Sequence, residues 1–171
     1  MDLSLINLST EIGKILREYH LSVAAAESCT GGLLSHILTG VSGSSEYFMG
    51  GIVAYSNRIK ADILGVQPET LNHYGAVSSQ TAAEMAKGIR KLFLTDIGLS
   101  TTGIAGPTGG TIEKPVGLVW IGISTCLSTK TEKYLFNGNR NQVKTSTVSH
   151  VLSNLLKNLQ ELENVEAEDG Q

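Results

Sequence analysis

The sequence predicts an α/β protein, a three-layer α/β/α sandwich on a five-stranded sheet. Two observations carry that expectation. Short runs rich in Val, Ile, Ala and Gly, each of strand length, alternate with longer stretches whose apolar residues recur every three or four positions. Two of the strand-like runs also break into glycine-rich turns followed by new apolar segments, as strands do when they feed helices or loops at the edge of an open sheet.

The first helix follows from Leu5, Leu8, Ile12, Ile15, Leu16 and Tyr19. A strand over Val23–Ala26 then ends in Glu27-Ser28-Cys29-Thr30-Gly31-Gly32, and the apolar run Leu33 to Leu38 begins a helix that stops near Gly40. A second strand is expected from Gly50 to Tyr55. Ser56 is placed to cap a helix carrying Ile59, Lys60, Ile63 and Leu64, which Gly65 ends. Pro68-Glu69-Thr70 opens a short helix. Ser78 or Ser79 caps a longer one with Met85, Ile89, Leu92 and Phe93 among its apolar positions. Ile97 to Thr102 reads as the third strand, running into the glycines of 103–110; Val116 to Ser124 as the fourth; Lys133 to Phe136 as a fifth, near an edge. From Arg140 a last helix turns Val143, Val148, Val151, Leu152, Leu155, Leu156 and Leu159 to the core. One domain over 1–171 is expected, with an acidic tail that frays from about residue 163.

Composition bounds the function. The 171 residues are 41% apolar, and nothing approaches the roughly 18 consecutive apolar residues of a membrane span. Met1 to Thr10 lack the pattern of a secretory leader, and two cysteines without CxxC spacing fit a reducing compartment, so a cytoplasmic location is expected. The net charge of −3 comes from Glu161, Glu163, Glu166, Glu168 and Asp169; the remaining body has 13 basic against 11 acidic residues. That balance accommodates a phosphorylated small molecule and gives no basis for nucleic acid as a partner. His20, His36, His73 and His150 stand apart from one another and from the cysteines, so no metal or other cofactor is expected.

Neither glycine-rich turn is a P-loop, and neither is a dinucleotide fingerprint. Ser28 stands at the mouth of the first, where a nucleophile would be exposed. Gly31 and Gly32 would let a ligand approach the backbone, and the amides of the helix start offer an anion or oxyanion site. The same residues also suit a plain helix cap. Tyr55 at a strand end and Lys60 one turn into the next helix can reach a common pocket. A lysine beside Ser28 would make a serine nucleophile with an amine base. Cys29 is the rival nucleophile, but in extended geometry it points away from the face that Ser28 uses.

Several motifs carry a resemblance. Ala26-Glu27-Ser28-Cys29-Thr30-Gly31-Gly32, Tyr55-Ser56-Asn57 with Lys60, Gly75-Ala76-Val77-Ser78, Gly103-Ile104-Ala105-Gly106-Pro107 and Lys114-Pro115-Val116-Gly117 together resemble the CinA C-terminal family over roughly residues 5–160. The resemblance implies a mixed, mostly parallel sheet with one antiparallel strand, and homo-oligomers with a dimer favoured. It implies hydrolysis of nicotinamide mononucleotide to nicotinate mononucleotide and ammonia, with Ser28, Tyr55 and Lys60 catalytic, Tyr55 acting as a relay. Substrate contacts are expected from Cys29, Thr30, Gly31, Gly32, Thr102, Gly103, Ala105, Gly106 and Arg140, with the 103–110 loop cradling the phosphate. Thr108 departs from the Asp or Gly that many relatives carry there. The competing expectations are an acyl hydrolase acting on another small nucleotide, and a non-catalytic nucleotide- or partner-binding protein linked to competence.

Overall fold

Alternating side chains on β1, Val23–Glu27, divide the molecule into its two cores. Val23 and Ala25 pack with α1 (Leu3–Glu18), α2 (Leu33–Thr39) and α6 (Arg140–Asp169). Ala24 and Ala26 face the opposite way, against Met85 and Ile89 of α5 (Ser79–Phe93) and against Leu64 and Val66. All five β1 residues are buried, so this strand is central. This is the computed structural model of the chain. It describes residues 3–169, with side chains through Glu161.

The remaining strands are β2 (Phe48–Val53), β3 (Ile97–Gly103), β4 (Leu118–Ser124) and β5 (Thr129–Leu135), and the sheet order is β2-β1-β3-β4-β5. β1 runs parallel to both β2 and β3, while β4 is antiparallel to β3 and β5. Four strands therefore point one way and one the other, the mixed sheet expected. The small residues have a steric cause. A Cβ on Gly98 would lie 2.1 Å from the Ala86 carbonyl oxygen, and one on Gly122 2.7 Å from that of Ala82, so α5 rests almost directly on the sheet.

Boundaries moved by two residues or more at three strands, and β1 and β3 each run one residue further than expected. The second begins at Phe48 rather than Gly50 and ends at Val53, because its ladder with β1 closes with Ala54 N–H donating to Glu27 O at 2.7 Å. Tyr55 is thereby beyond the strand. Val116 and Gly117 belong to the loop before β4. β5 starts at Thr129, four residues before Lys133; as an edge strand it carries Lys130, Glu132 and Lys133, polar residues that hide a strand from composition. α3 (Asn57–Asp62) and α4 (Pro68–Tyr74) precede α5, with Ser56 and Ser78 capping α3 and α5 through bonds from Ile59 N–H and Thr81 N–H. The predicted fraying beyond Leu162 concerns residues whose side chains lie outside those described; α6 is assigned through Asp169. Among the described residues no helix is long and apolar enough to cross a membrane.

Candidate active site

The carboxyl ends of β1, β2 and β3 lie side by side, and the chain leaves β1 and β2 for opposite faces of the sheet. A crevice opens at such a point. It holds a cavity of about 250 Å³ that brings Ser28 and Cys29 from the first turn to Tyr55, Asn57 and Lys60 from the second. Thr102, Gly103 and Ala105 close it from β3, Ala76 and Val77 from the start of the α5 segment, and Arg140 from the start of α6. Segments distant in sequence meet here.

Lys60 lies on α3 with its side chain turned inward, only 2% exposed. Its Nζ donates to the Ala54 carbonyl at 2.7 Å and lies 3.0 Å from Ser28 Oγ. Burial lowers its pKa below the ordinary lysine value, because desolvation penalises the ammonium; a thiolate at Cys29 would act the other way. No carboxylate forms an ion pair with it among the described residues. A neutral amine at Lys60 has a lone pair for the Ser28 hydroxyl proton.

Cys29 is the opposite case. Burial pushes its thiol up to about 12, more than hydrogen bonds from its own amide and from Thr101 pull it down. At neutral pH it is a protonated thiol and a poor nucleophile.

The turn between them is organised by a residue that motif reasoning left without a role. Glu27 is fully buried, and its carboxylate accepts from Gly32 N–H (3.0 Å), Leu34 N–H (3.0 Å), Ser35 N–H (2.8 Å) and Ser35 Oγ (2.7 Å). An internal anion thus satisfies the start of α2. This corrects the expectation that the helix start is open to a ligand: the Gly32 amide is engaged. Thr30 N–H and Gly31 N–H have no hydrogen-bond partner among the described residues, whereas Ser28 N–H donates to Thr101 O at 2.9 Å. The Thr30 side chain is fully buried and bonds Thr101 Oγ1 at 2.8 Å, so it shapes the turn from beneath. Gly31 (φ 60°) and Gly32 (φ 94°) adopt the left-handed backbone that glycine permits.

Tyr55 stands apart from the Ser28–Lys60 pair. It is 61% exposed, and its hydroxyl accepts from Arg140 Nη2 at 2.6 Å. Arg140 Nη1 donates to Gly106 O at 2.8 Å. Arg140 therefore ties the strap after β3 to the tyrosine at the cavity mouth. That strap closes on itself through Ile104 N–H to Leu118 O and Gly117 N–H to Ile104 O, both 2.8 Å. Of the predicted 103–110 cradle, Gly103 and Ala105 line the cavity, Gly106 receives Arg140, and residues 107–110 are exposed away from it. Thr102 lines the cavity while its hydroxyl donates to Ala76 O at 2.6 Å.

Lys144 was not singled out by its sequence. One helical turn after Arg140, its Nζ lies 3.6 Å from where a Cβ on Gly31 would stand. Its only sequence signal was the four-residue spacing from Arg140 on a helix face. Among the described residues, no group of three or more His, Cys, Asp or Glu side chains is arranged to hold a metal ion.

The model of the CinA C-terminal domain matches residues 5–159. The chain belongs to that family. Similar proteins include competence-damage inducible proteins of Thermoanaerobacter pseudethanolicus (55% identical over 139 residues, 81% of this chain and 34% of the relative) and Acetivibrio thermocellus (56% over 135 residues, 79% and 33%). The chain thus spans about a third of the length of these relatives. Solved structures of the family are closer in extent. A CinA superfamily protein from Enterobacter cloacae has a TM-score of 0.88 at 35% identity, covering 91% of this chain and 92% of its own. The competence/damage inducible protein CihA from Agrobacterium tumefaciens has a TM-score of 0.88 at 38% identity, covering 92% and 96%.

Proposed function

We propose that this chain hydrolyses the carboxamide of nicotinamide mononucleotide, giving nicotinate mononucleotide and ammonia. The observation that carries the reading is the 3.0 Å approach of Ser28 Oγ to the amine of a buried lysine whose pKa is lowered. Lys60 takes the Ser28 proton as Oγ attacks the carboxamide carbon. The free amides of Thr30 and Gly31 are the candidates for the developing oxyanion. As the C–N bond breaks, Lys60 returns its proton to the departing nitrogen, which leaves as ammonia. Water then gives a proton to Lys60 and its oxygen to the acyl-enzyme carbon, and Ser28 recovers its proton. Tyr55 lacks a hydrogen bond to Ser28 or Lys60, so this route assigns it to the substrate side of the mouth rather than to a proton relay.

Arg140 and Lys144 supply positive charge beside the turn, and in this reading they receive the ribose phosphate. Ammonia release from nicotinamide mononucleotide is the test, with nicotinamide riboside, NAD and free nicotinamide as comparisons. The phosphorylated mononucleotide is expected to be the best substrate, and Arg140→Ala to raise its KM about tenfold or more with a smaller change in kcat. Equal efficiency on the riboside would remove the phosphate role. A second reading, prompted by relatives named competence-damage inducible proteins, is a binding protein without turnover; absence of ammonia from every amide offered, with binding retained, would decide for it.

A further inference from the structure

Beside the Ser28 cavity, across the Ala76–Val77 segment, lies a second one of about 190 Å³ that the proposed reaction does not use. Its floor is Trp120 on β4. Trp120 is paired directly with Thr102 on β3 and Lys133 on β5, so the three side chains share one face of the sheet, the face that α5 covers further along. Ser100 and Gly122 on that face lie beneath Ala82, but α5 begins at Ser79 and leaves Trp120 beyond its start. The indole is half-buried and its N–H makes no hydrogen bond among the described residues.

The other walls are chemically specific. Tyr74, at the end of α4, is 51% exposed and lines the cavity with Val77, Ser78 and the strap residues Glu113 and Lys114. Lys114 is held in place. Its Nζ donates to Tyr74 O at 2.6 Å and fits against Gly75, where a Cβ would stand 3.1 Å away. Two of its N–H groups remain. Lys133 lines the same cavity and has no ion-pair partner among the described residues. Two aromatic rings and two ammonium groups, against one carboxylate at Glu113, make a cavity suited to a flat ring bearing an anion. Its volume is below the roughly 300 Å³ at which sites for drug-sized ligands begin, which suits a small ligand rather than a dinucleotide.

We propose that this cavity is a separate binding site for a nucleoside monophosphate, its base against Trp120 and its phosphate between Lys114 and Lys133. The site shares Val77 with the Ser28 cavity, and the Thr102–Ala76 hydrogen bond holds the residue before it. It is independent of whether Ser28 is a nucleophile.

Trp120 is the only tryptophan, so its fluorescence reads this cavity alone among tryptophan signals. Adenosine 5′-monophosphate is the probe, with adenosine and inorganic phosphate titrated separately. The expected result is a saturable fluorescence change with the monophosphate below about 1 mM, with adenosine and phosphate each binding about tenfold weaker or worse. Lys133→Gln, an exposed edge-strand change, is expected to weaken the monophosphate about tenfold, while Ser28→Ala and Arg140→Ala leave it unchanged. Calorimetry on Trp120→Leu should show the binding lost, with circular dichroism confirming a folded protein. No saturation by about 10 mM would overturn the proposal. So would equal affinity for adenosine, or a signal abolished by Arg140→Ala and kept by Lys133→Gln, which would place the ligand in the Ser28 cavity.

Discussion

Two glycine-rich turns follow β1 and β3 at the same end of the sheet, and they are held in different ways. The first, Glu27 to Gly32, is fixed from inside: the Glu27 carboxylate gathers three amides and a hydroxyl, Thr30 is pinned to Thr101, and Lys60 reaches Ser28 from α3. The strap after β3 is held by backbone bonds at its base, by Arg140 on Gly106 and by Lys114 on Tyr74, while 107–112 are exposed. Glycine content made the two look alike. What separates them is buried polar side chains, which fix a backbone because leaving such groups unpaired away from water is costly. A turn fixed in this way can hold a nucleophile in one geometry; a strap tied at a few points, with its outer residues exposed, serves as a wall.

The largest effect expected from this contrast is at Ser28. Ser28→Ala should lower turnover of the amide substrate by about 10⁴-fold or more, as loss of a nucleophile does in comparable acyl-transfer enzymes. Cys29→Ala, which removes a protonated, buried thiol, should retain most activity. The reverse ranking of the two variants in an ammonia-release assay would move the nucleophile to Cys29.

Next is Lys60, which tests whether the first turn works through a neutral amine. With its pKa lowered by burial, the active form is the deprotonated one, so kcat/KM should rise with pH through a single ionisation below that of ordinary lysine, about 10.4, and level off above it. Lys60→Arg keeps a cation that does not deprotonate and should be nearly as damaging as Lys60→Ala. Substantial activity in Lys60→Arg with an unchanged pH profile would make Lys60 an electrostatic contact and not the base.

Glu27→Gln probes the scaffold itself. The amide side chain offers one acceptor oxygen where the carboxylate serves four donors, and its NH₂ group faces backbone N–H groups. A loss of roughly 2–4 kcal/mol is expected, read as a lower urea midpoint at unchanged m. A midpoint within about 0.5 kcal/mol of the parent would show that the turn is held by something else.

The smallest effect belongs to the exposed part of the strap. Thr108→Asp adds a charge at an exposed position outside the cavity, and stability should stay within about 0.5 kcal/mol and activity within about twofold. A large change in KM would return the outer strap to the substrate site.

Much of the site was legible because its parts are local patterns. Ser28 before a glycine pair, Lys60 one turn past Ser56, and Arg140 at a helix start each leave a sequence mark. Glu27 left one too, but a carboxylate before a serine and a glycine pair looks the same whether it faces solvent or folds back onto a helix start. Lys144 and Trp120 were unreadable as site residues, since one depends on α6 crossing the Gly31 turn and the other on where α5 begins.

The sequence by itself determined the alternation of strands and helices, the capping serines, the two turns and the chemical identity of the Ser28–Lys60 pair, because these follow from periodicity and residue type over a few positions. Tertiary structure decided which amides remain free, which lysine is desolvated, that Tyr55 belongs to Arg140, and that β5 begins at Thr129. Those properties depend on which segments pack together and which water is excluded, and burial changes the energy of a charge or an amide in a way that no local pattern records.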